Sequence, residues 1–274
     1  MKQKFALITG GGAGLGRALA IGCAQRGYNL VLVSLPGSHL DSLCAYLESH
    51  YHITAYGLEL DLCAKGSVEE VVSFIEDREI PINFLINNAG LGHTRVFSDM
   101  SSADISRILV LNMEVVTHLT HRLIPLLQEN APAHILNVSS FACFYSLPYK
   151  NCYAASKAYV KQFSLSLRFE LEEHGISVSV LCPSGIITNP TFYQICIKGN
   201  WITRQSFMDP EDVAEYALDK TLAGKDLIIP GRVNRIIYYA SAFFPKVLRK
   251  YLAQKMMKPV LKTQAKSERM VSAA

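Results

Sequence analysis

Nowhere does the sequence run to eighteen consecutive apolar residues, so it offers no candidate for a membrane-spanning helix. Its basic start, MKQK, is followed by an apolar run of only Phe5 to Ile8 before glycines begin, too short for the hydrophobic region of an export signal. The seven cysteines (Cys23, Cys44, Cys63, Cys143, Cys152, Cys182, Cys196) are odd in number, scattered, and without metal-ligand spacing. That pattern argues against a disulfide framework or a zinc site and for reduced thiols in a cytoplasmic protein. No metal is expected. Charge is scarce at 18% of residues, and before Gly231 there is no repeat, linker or low-complexity tract. Half of the 274 residues are hydrophobic, enough for a sizeable core and against disorder.

Charge is unevenly spread. From Gly231 onward there are ten Lys or Arg and a single acid, Glu268, a balance of +9 against −5 for the residues before it. A mildly acidic body, 1–230, therefore carries a strongly basic tail, 231–274. No nucleic-acid partner is expected.

Short β-branched runs alternate with longer helical stretches along the body. Strands are expected at residues 5–9, 29–34, 53–60, 82–87, 133–139, 176–181 and 226–229. Helices are expected at 14–27, 40–49, 68–78, 102–129 (disturbed near Pro125), 152–174 and 210–222. Strict β/α alternation with near-continuous apolar strands predicts a parallel sheet covered on both faces. The expected fold is α/β, a single domain with a doubly wound, mostly parallel seven-stranded sheet and a helical C-terminal extension. In such a sheet ligands bind beyond the carboxyl ends of the strands.

The first strand runs into Thr9-Gly10-Gly11-Gly12-Ala13-Gly14-Leu15-Gly16. Glycines there let the chain turn tightly and bring bare backbone up to a pyrophosphate, while the following helix aims its free N–H groups at that anion. No Gly-Lys-Ser/Thr follows, so the turn is not a P-loop. A strand before it, a helix after it and a βαβ unit around it are the context a dinucleotide site needs.

The spacing T-G-x-x-x-G-x-G resembles the short-chain dehydrogenase/reductase family, and further motifs follow in the family's order. Asn87-Asn88-Ala89-Gly90 ends the fourth strand, and Ser139-Ser140 and Tyr153-Ala-Ala-Ser-Lys157 follow. The resemblance spans about residues 4–230 and implies a Rossmann-like fold. It implies a catalytic set of Asn112, Ser140, Tyr153 and Lys157, with Ser140 preferred to Ser139 for its distance from Tyr153. It implies cofactor contacts from Thr9, Gly10, Gly14, Leu15, Gly16, Ser34, Asp61, Leu62, Asn88, Ala89, Gly90, Tyr153 and Lys157. After the sixth strand it carries over Pro183, Ile186 and Thr188. Ser184 departs from the family's Gly there, and would be strained if that position needs a positive φ.

The chemistry also reads from the residues. Tyr153 and Lys157 are four apart on one helix and share a face. A tyrosine ordinarily titrates near pH ~10, and a neighbouring ammonium is expected to lower that value. Tyr153 could then trade a proton with a substrate oxygen that Ser140 also bonds, while hydride moves to or from carbon. Lys157 would hold the nicotinamide ribose, and the resemblance implies that Asn112 anchors a water in the proton relay.

The end of the second strand, Ser34-Leu35-Pro36-Gly37-Ser38-His39, has neither the Asp that bonds an adenosine ribose nor the Arg that takes a 2′-phosphate. The cofactor is therefore NADP or NAD, with a lean to NADP because no acid repels the phosphate. Residues 189–208 carry Phe192, Tyr193, Ile195, Trp201 and Phe207, which suggests a hydrophobic carbonyl or alcohol substrate of steroid, fatty acyl or aromatic type. In the tail, Val233, Ile236, Ile237, Ala240, Phe243 and Phe244 recur at helical spacing, as do Val247, Leu248, Tyr251 and Leu252 beyond Pro245. Arg235, Lys246, Arg249, Lys250, Lys255 and Lys258 would make a cationic face, so the tail suits packing on the body, closure over the site, a homo-oligomer (dimer or tetramer), or peripheral contact with an anionic membrane. The leading expectation is an NAD(P)-dependent oxidoreductase. The alternative is a catalytically silent nucleotide-sensing protein of the same fold.

Overall fold

The computed structural model describes residues 4–188 and 190–242. Seven strands form one sheet: β1 (Phe5–Thr9), β2 (Asn29–Ser34), β3 (Ala55–Glu59), β4 (Ile82–Asn87), β5 (Ala133–Val138), β6 (Ile176–Leu181) and β7 (Leu227–Ile228). Their order is β3-β2-β1-β4-β5-β6-β7, every pairing parallel. The fold is thus the doubly wound α/β sheet that the alternation predicts. Strand order reverses between β1 and β4, which opens a crevice at their carboxyl ends.

The strands alternate their side chains between two cores, as the two-residue period of a strand requires. Ile8, Leu32, Ile86 and Leu136 face one layer, formed with α1 (Gly14–Gln25), α2 (Leu40–Tyr51) and α9 (Pro210–Leu222). Leu7, Val31, Leu85 and Ile135 face the other, against α3 (Ser67–Glu76) and α5 (Val115–Glu129). Leu7 and Ile8 are both fully buried, and burying such a side chain contributes roughly 1.5–3 kcal/mol. This two-sided burial explains why the strands read as continuous apolar runs.

The elements differ from those expected in several places. The helix expected over 102–129 is interrupted, but not at Pro125, which sits inside α5. The interruption is a π-helical turn, Val110–Glu114, between α4 (Ser102–Leu109) and α5. The cause is polar: Asn112 is turned inward to bonds described below. Residues 189–208 hold two short helices, α7 (Pro190–Lys198) and α8 (Trp201–Ser206). The long helix α6 (Asn151–Leu171) ends in a 3₁₀ turn to His174, and β3 and β7 are shorter than their apolar runs.

The start of the tail is docked on the body as α10 (Arg232–Ala242). Asn234 is buried and donates through Nδ2 to the carbonyls of Pro230 (2.9 Å) and Ser206 (3.2 Å). Arg235 donates to the Tyr216 hydroxyl at 2.8 Å, and the Tyr238 ring lies 4.5 Å from that of Phe144. The expected contributions of Phe243 and Phe244, the division at Pro245, the run of Val247, Leu248, Tyr251 and Leu252, and the cations Lys246, Arg249, Lys250, Lys255 and Lys258 lie outside the described residues. Among the described residues, no helix is long and apolar enough to cross a membrane.

Candidate active site

The carboxyl ends of β1, β4, β5 and β6 bring the motifs together. Thr9 closes β1, and its hydroxyl accepts from the backbone N–H groups of Asn88 and Ala89, both at 3.0 Å. Asn88 answers by donating through Nδ2 to the carbonyls of Thr9 (3.0 Å) and Gly10 (3.2 Å). The two loops that flank the crevice are thereby laced to each other. Two glycines are indispensable in this lacing. Gly14 has φ +52°, a region that side chains rarely adopt, and a Cβ on Gly16 would overlap the carbonyl oxygen of Gly10.

The helix α1 opens at Ala13, which has no capping side chain, and its first turn holds no acid. Its N–H groups and positive end thus face the crevice without a protein anion, the arrangement that accepts a pyrophosphate. Leu15 faces the core, so only its backbone can take part. A Cβ on Gly14 would come within 3.2 Å of the Thr188 methyl, which brings the loop after β6 to the same place. Pro183 is buried and its carbonyl accepts from Phe141 N–H at 2.7 Å. Ile186 bridges to Met208, and Thr188 N–H bonds the Ile186 carbonyl. Ser184 is not among the described residues with positive φ, so its departure from glycine costs no backbone strain.

The catalytic candidates converge beside this crevice. Asn112, fully buried in the π turn, accepts from Leu91 N–H through Oδ1 at 2.8 Å and donates through Nδ2 to Leu91 O and Ser156 Oγ, both at 3.0 Å. Its amide is therefore committed to holding the loop after Gly90 against α6. A part in a proton relay would fall to its backbone carbonyl, where the wide turn loosens the helical ladder, rather than to the side chain. Lys157 lies on the neighbouring turn of α6 and donates to Val138 O at 2.8 Å. A Cβ on Gly90 would sit 3.0 Å from Lys157 Nζ and 3.2 Å from Asn112 Oδ1, so a side chain there would crowd both.

Burial governs the titration of this pair. It pulls Lys157 down from 10.5 to about 8, and Lys157 stays protonated at neutral pH. Burial also raises Tyr153 above its ordinary value, with a hydrogen bond to Ser140 pulling the other way. The expected lowering of Tyr153 by the Lys157 ammonium is thus not found: burial of the phenol sets the direction, and the neighbouring thiols Cys143 and Cys182 add to it. The ammonium of Lys150 lies 5.5 Å from the Tyr153 ring. Ser140 caps the short 3₁₀ turn Phe141–Phe144, its Oγ accepting from Ala142 N–H at 3.2 Å.

Three contributors escaped the sequence reading. Ser156 joins Asn112 to the Tyr153 carbonyl, donating at 2.9 Å, and Ser139 donates to Lys157 O at 2.6 Å. Ser156 might have been found from its place between Tyr153 and Lys157; Ser139 only from the fold. The third is Glu59 at the end of β3, in register with Ser34. It accepts from Gly37 N–H (2.7 Å) and Leu40 N–H (3.2 Å), bonds that hold its carboxyl below the usual range. An acid thus does lie against the loop after β2, contributed by the neighbouring strand. Asp61 accepts from Cys63 N–H at 2.9 Å and pairs with Arg107 at 3.3 Å, while the Leu62 side chain packs into the core. Among the described residues, no cluster of three or more His, Cys, Asp or Glu could hold a metal ion.

Over the site, the Phe207 ring lies against Gly185 and 6.5 Å from the Phe192 ring. Trp201, Tyr193 and Ile202 on α7 and α8 are exposed. The arrangement offers a glycine-lined crevice, Tyr153 and Lys157 beside it on α6, and an apolar rim.

The family model described as short chain dehydrogenase matches residues 4–192. A very-long-chain 3-oxoacyl-CoA reductase from Phaeosphaeria nodorum is 32% identical over 204 residues, 68% of this chain and 60% of that protein. Hydroxysteroid dehydrogenase-like protein 1 from Gallus gallus is 31% identical over 221 residues, 78% of this chain and 64% of that protein. The chain thus matches less than two thirds of the length of these relatives. A short-chain dehydrogenase from Sphingobium yanoikuyae, solved in complex with NADPH, superposes with a TM-score of 0.74 at 26% identity, covering 87% of this chain and 93% of that one.

Proposed function

This chain belongs to the short-chain dehydrogenase/reductase family, and we propose that it reduces a carbonyl on a hydrophobic substrate to the alcohol with NADPH as hydride donor. The observation that carries the reading is the convergence of Ser140, Tyr153 and Lys157 beside a glycine-lined crevice. A silent nucleotide sensor would need none of the three. The crevice fits a dinucleotide: α1 presents an uncapped N-terminus, a Cβ on Gly16 would collide with the Gly10 carbonyl, and one on Gly90 would crowd Lys157 and Asn112. Thr9, Gly10, Gly14, Leu15, Gly16, Asn88, Ala89 and Gly90 would line it, with Ser34, Asp61 and Leu62 at the adenosine end and Pro183, Ile186 and Thr188 at the nicotinamide end. When bound, the nicotinamide supplies the hydride.

The protein's own work is proton transfer and positioning. The raised Tyr153 keeps its proton at neutral pH, which suits donation to a carbonyl oxygen and favours the reductive direction. Ser140 bonds the same oxygen as charge develops on it. Lys157, cationic below about pH 8, stabilises the phenolate left behind and holds the ribose hydroxyls. NADPH is favoured over NADH because the loop after β2 carries no acid of its own and Glu59 is engaged by backbone N–H groups. The NADPH complex of the Sphingobium relative supports the same choice.

The apolar rim supports a long-chain acyl or steroid-like substrate, in keeping with the names of the two curated relatives. Exposed Trp201, Ile202, Ile236 and Tyr239 on α8 and α10, next to Arg232, support a peripheral membrane contact continued by the basic tail. Body 1–230 and tail 231–274 would then divide catalysis from docking. Phe169, 79% exposed on α6, supports a homo-oligomer. Purified protein with NADPH or NADH and a panel of long-chain, steroid and aromatic ketones tests the reading. Turnover with NADPH is expected. Tight nucleotide binding with no turnover on any ketone would favour the sensor instead.

A further inference from the structure

The catalytic serine's own turn carries a thiol that the reaction does not use. Cys143 sits in the 3₁₀ turn that Ser140 caps, and its N–H bonds the Ser140 carbonyl at 3.0 Å. Its sulfur lies 3.7 Å from that of Cys182, the residue that links β6 to Pro183. Cys182 is fully buried, whereas Cys143 is partly open to solvent. We propose that Cys143 and Cys182 form a peroxide-reactive dithiol site whose oxidation to a disulfide stops turnover.

The two sulfurs have unequal parts. Hydrogen bonding from Cys182 holds the Cys143 thiol below its ordinary value against the opposing pull of burial, and the Ser139 hydroxyl and the Lys161 ammonium act in the same sense. Burial pushes Cys182 far up. Cys143, the sulfur that peroxide can reach from solvent, is therefore the attacking thiolate, and buried Cys182 the resolving thiol. The Cys143 thiolate breaks the O–O bond of hydrogen peroxide, forming a sulfenic acid and releasing hydroxide. The Cys182 sulfur then attacks that sulfur, the S–O bond breaks, and the departing hydroxide takes the Cys182 proton. Two thiols lose two electrons and two protons, and the peroxide leaves as two waters.

A disulfide of about 2.05 Å leaves roughly 1.6 Å to close between these sulfurs. The backbone around them is fixed on one side: Cys182 N–H bonds Ile228 O at 2.8 Å within the sheet. Closing the gap pulls on the 3₁₀ turn, which Phe141 N–H ties to Pro183 O at 2.7 Å and Cys143 N–H to Ser140 O at 3.0 Å, and so shifts Ser140. Ser140 draws the Tyr153 phenol down against burial, so the displacement reaches the proton donor.

The full-length protein, titrated with hydrogen peroxide, tests this. Non-reducing peptide mass spectrometry should find the Cys143 and Cys182 peptides joined, with ketone turnover falling in step and returning with dithiothreitol. Cys143→Ala should keep basal turnover and resist the oxidant, while Cys152→Ala should be inactivated like the parent. Inactivation without the linked peptides, inactivation of Cys143→Ala at the parental rate, or a formed disulfide with undiminished turnover would each overturn the proposal. The mass spectrum reads the thiols whatever substrate the enzyme takes, so failure of this site and failure of the carbonyl reading are distinguishable.

Discussion

Replacing Lys157 by Met should make the protein more stable while making it a poorer enzyme. Burial lowers this lysine from 10.5 to about 8. A displacement of that size corresponds to about 3 kcal/mol of folding free energy lost to carrying the charge inside. Methionine has a similar length and no charge, so it removes that cost. It also leaves Val138 O without the 2.8 Å bond it now accepts, which costs about 1–2 kcal/mol. The net gain is about 2 kcal/mol at neutral pH, or roughly 4–8 °C for a domain of this size. The sign depends on pH in a defined way. Below pH 8 both the folded and unfolded forms of the parent are protonated at this lysine, and the cost is fully present. Between pH 8 and 10.5 the folded form has released the proton and the unfolded form has not, so parental stability rises and the variant's advantage shrinks. Thermal melts at pH 7 and pH 10, beside turnover assays, check this. Turnover should fall about 100-fold or more. A variant that melts below the parent, by the same margin at both pH values, would refute the account of a desolvated cation.

Other expectations follow from single contacts. Asn112→Ala removes three buried hydrogen bonds at about 1 kcal/mol each, and should lower the melting temperature by roughly 6–12 °C in calorimetry. Gly16→Ala forces its Cβ onto the Gly10 carbonyl, so fluorescence titration should find nucleotide binding weakened and melts should find about 1–3 kcal/mol lost. Glu59→Gln removes a negative charge from the loop after β2, so the KM for NADPH should fall relative to that for NADH. An unchanged ratio would mean that Glu59 lies beyond the reach of the ribose.

Where one physical signal dominated, the sequence was a sufficient guide. Leu7 and Ile8 face opposite cores, so β1 had to be apolar throughout, and the glycines after it had to clear the Gly10 carbonyl and allow φ +52°. The spacing of Tyr153 and Lys157 puts them on one helical face, but that spacing is common, and only its company with Ser140, Asn112, Asn88 and the glycine turn singles the pair out. What escaped was set by tertiary context. The π turn at Val110–Glu114 exists because Asn112 reaches Leu91 and Ser156, contacts across distant segments that no local pattern announces. Pro125 looked like the natural break, yet α5 runs through it. The direction of the Tyr153 shift turned on burial, which spacing to a lysine does not reveal. Glu59 reached the loop after β2 from the adjacent strand, and strand neighbours are a property of the sheet.

The central claim is that Tyr153 delivers the proton that accompanies hydride transfer. Single-turnover reduction of a reactive hydrophobic ketone by NADPH-loaded protein, comparing the parent with Tyr153→Phe, tests it most directly. The account predicts a rate lower by about 10²–10⁴ with NADPH affinity retained, because the phenol ring stays and only its hydroxyl is lost. Reduction by Tyr153→Phe at the parental rate, with the nucleotide equally bound, would contradict it.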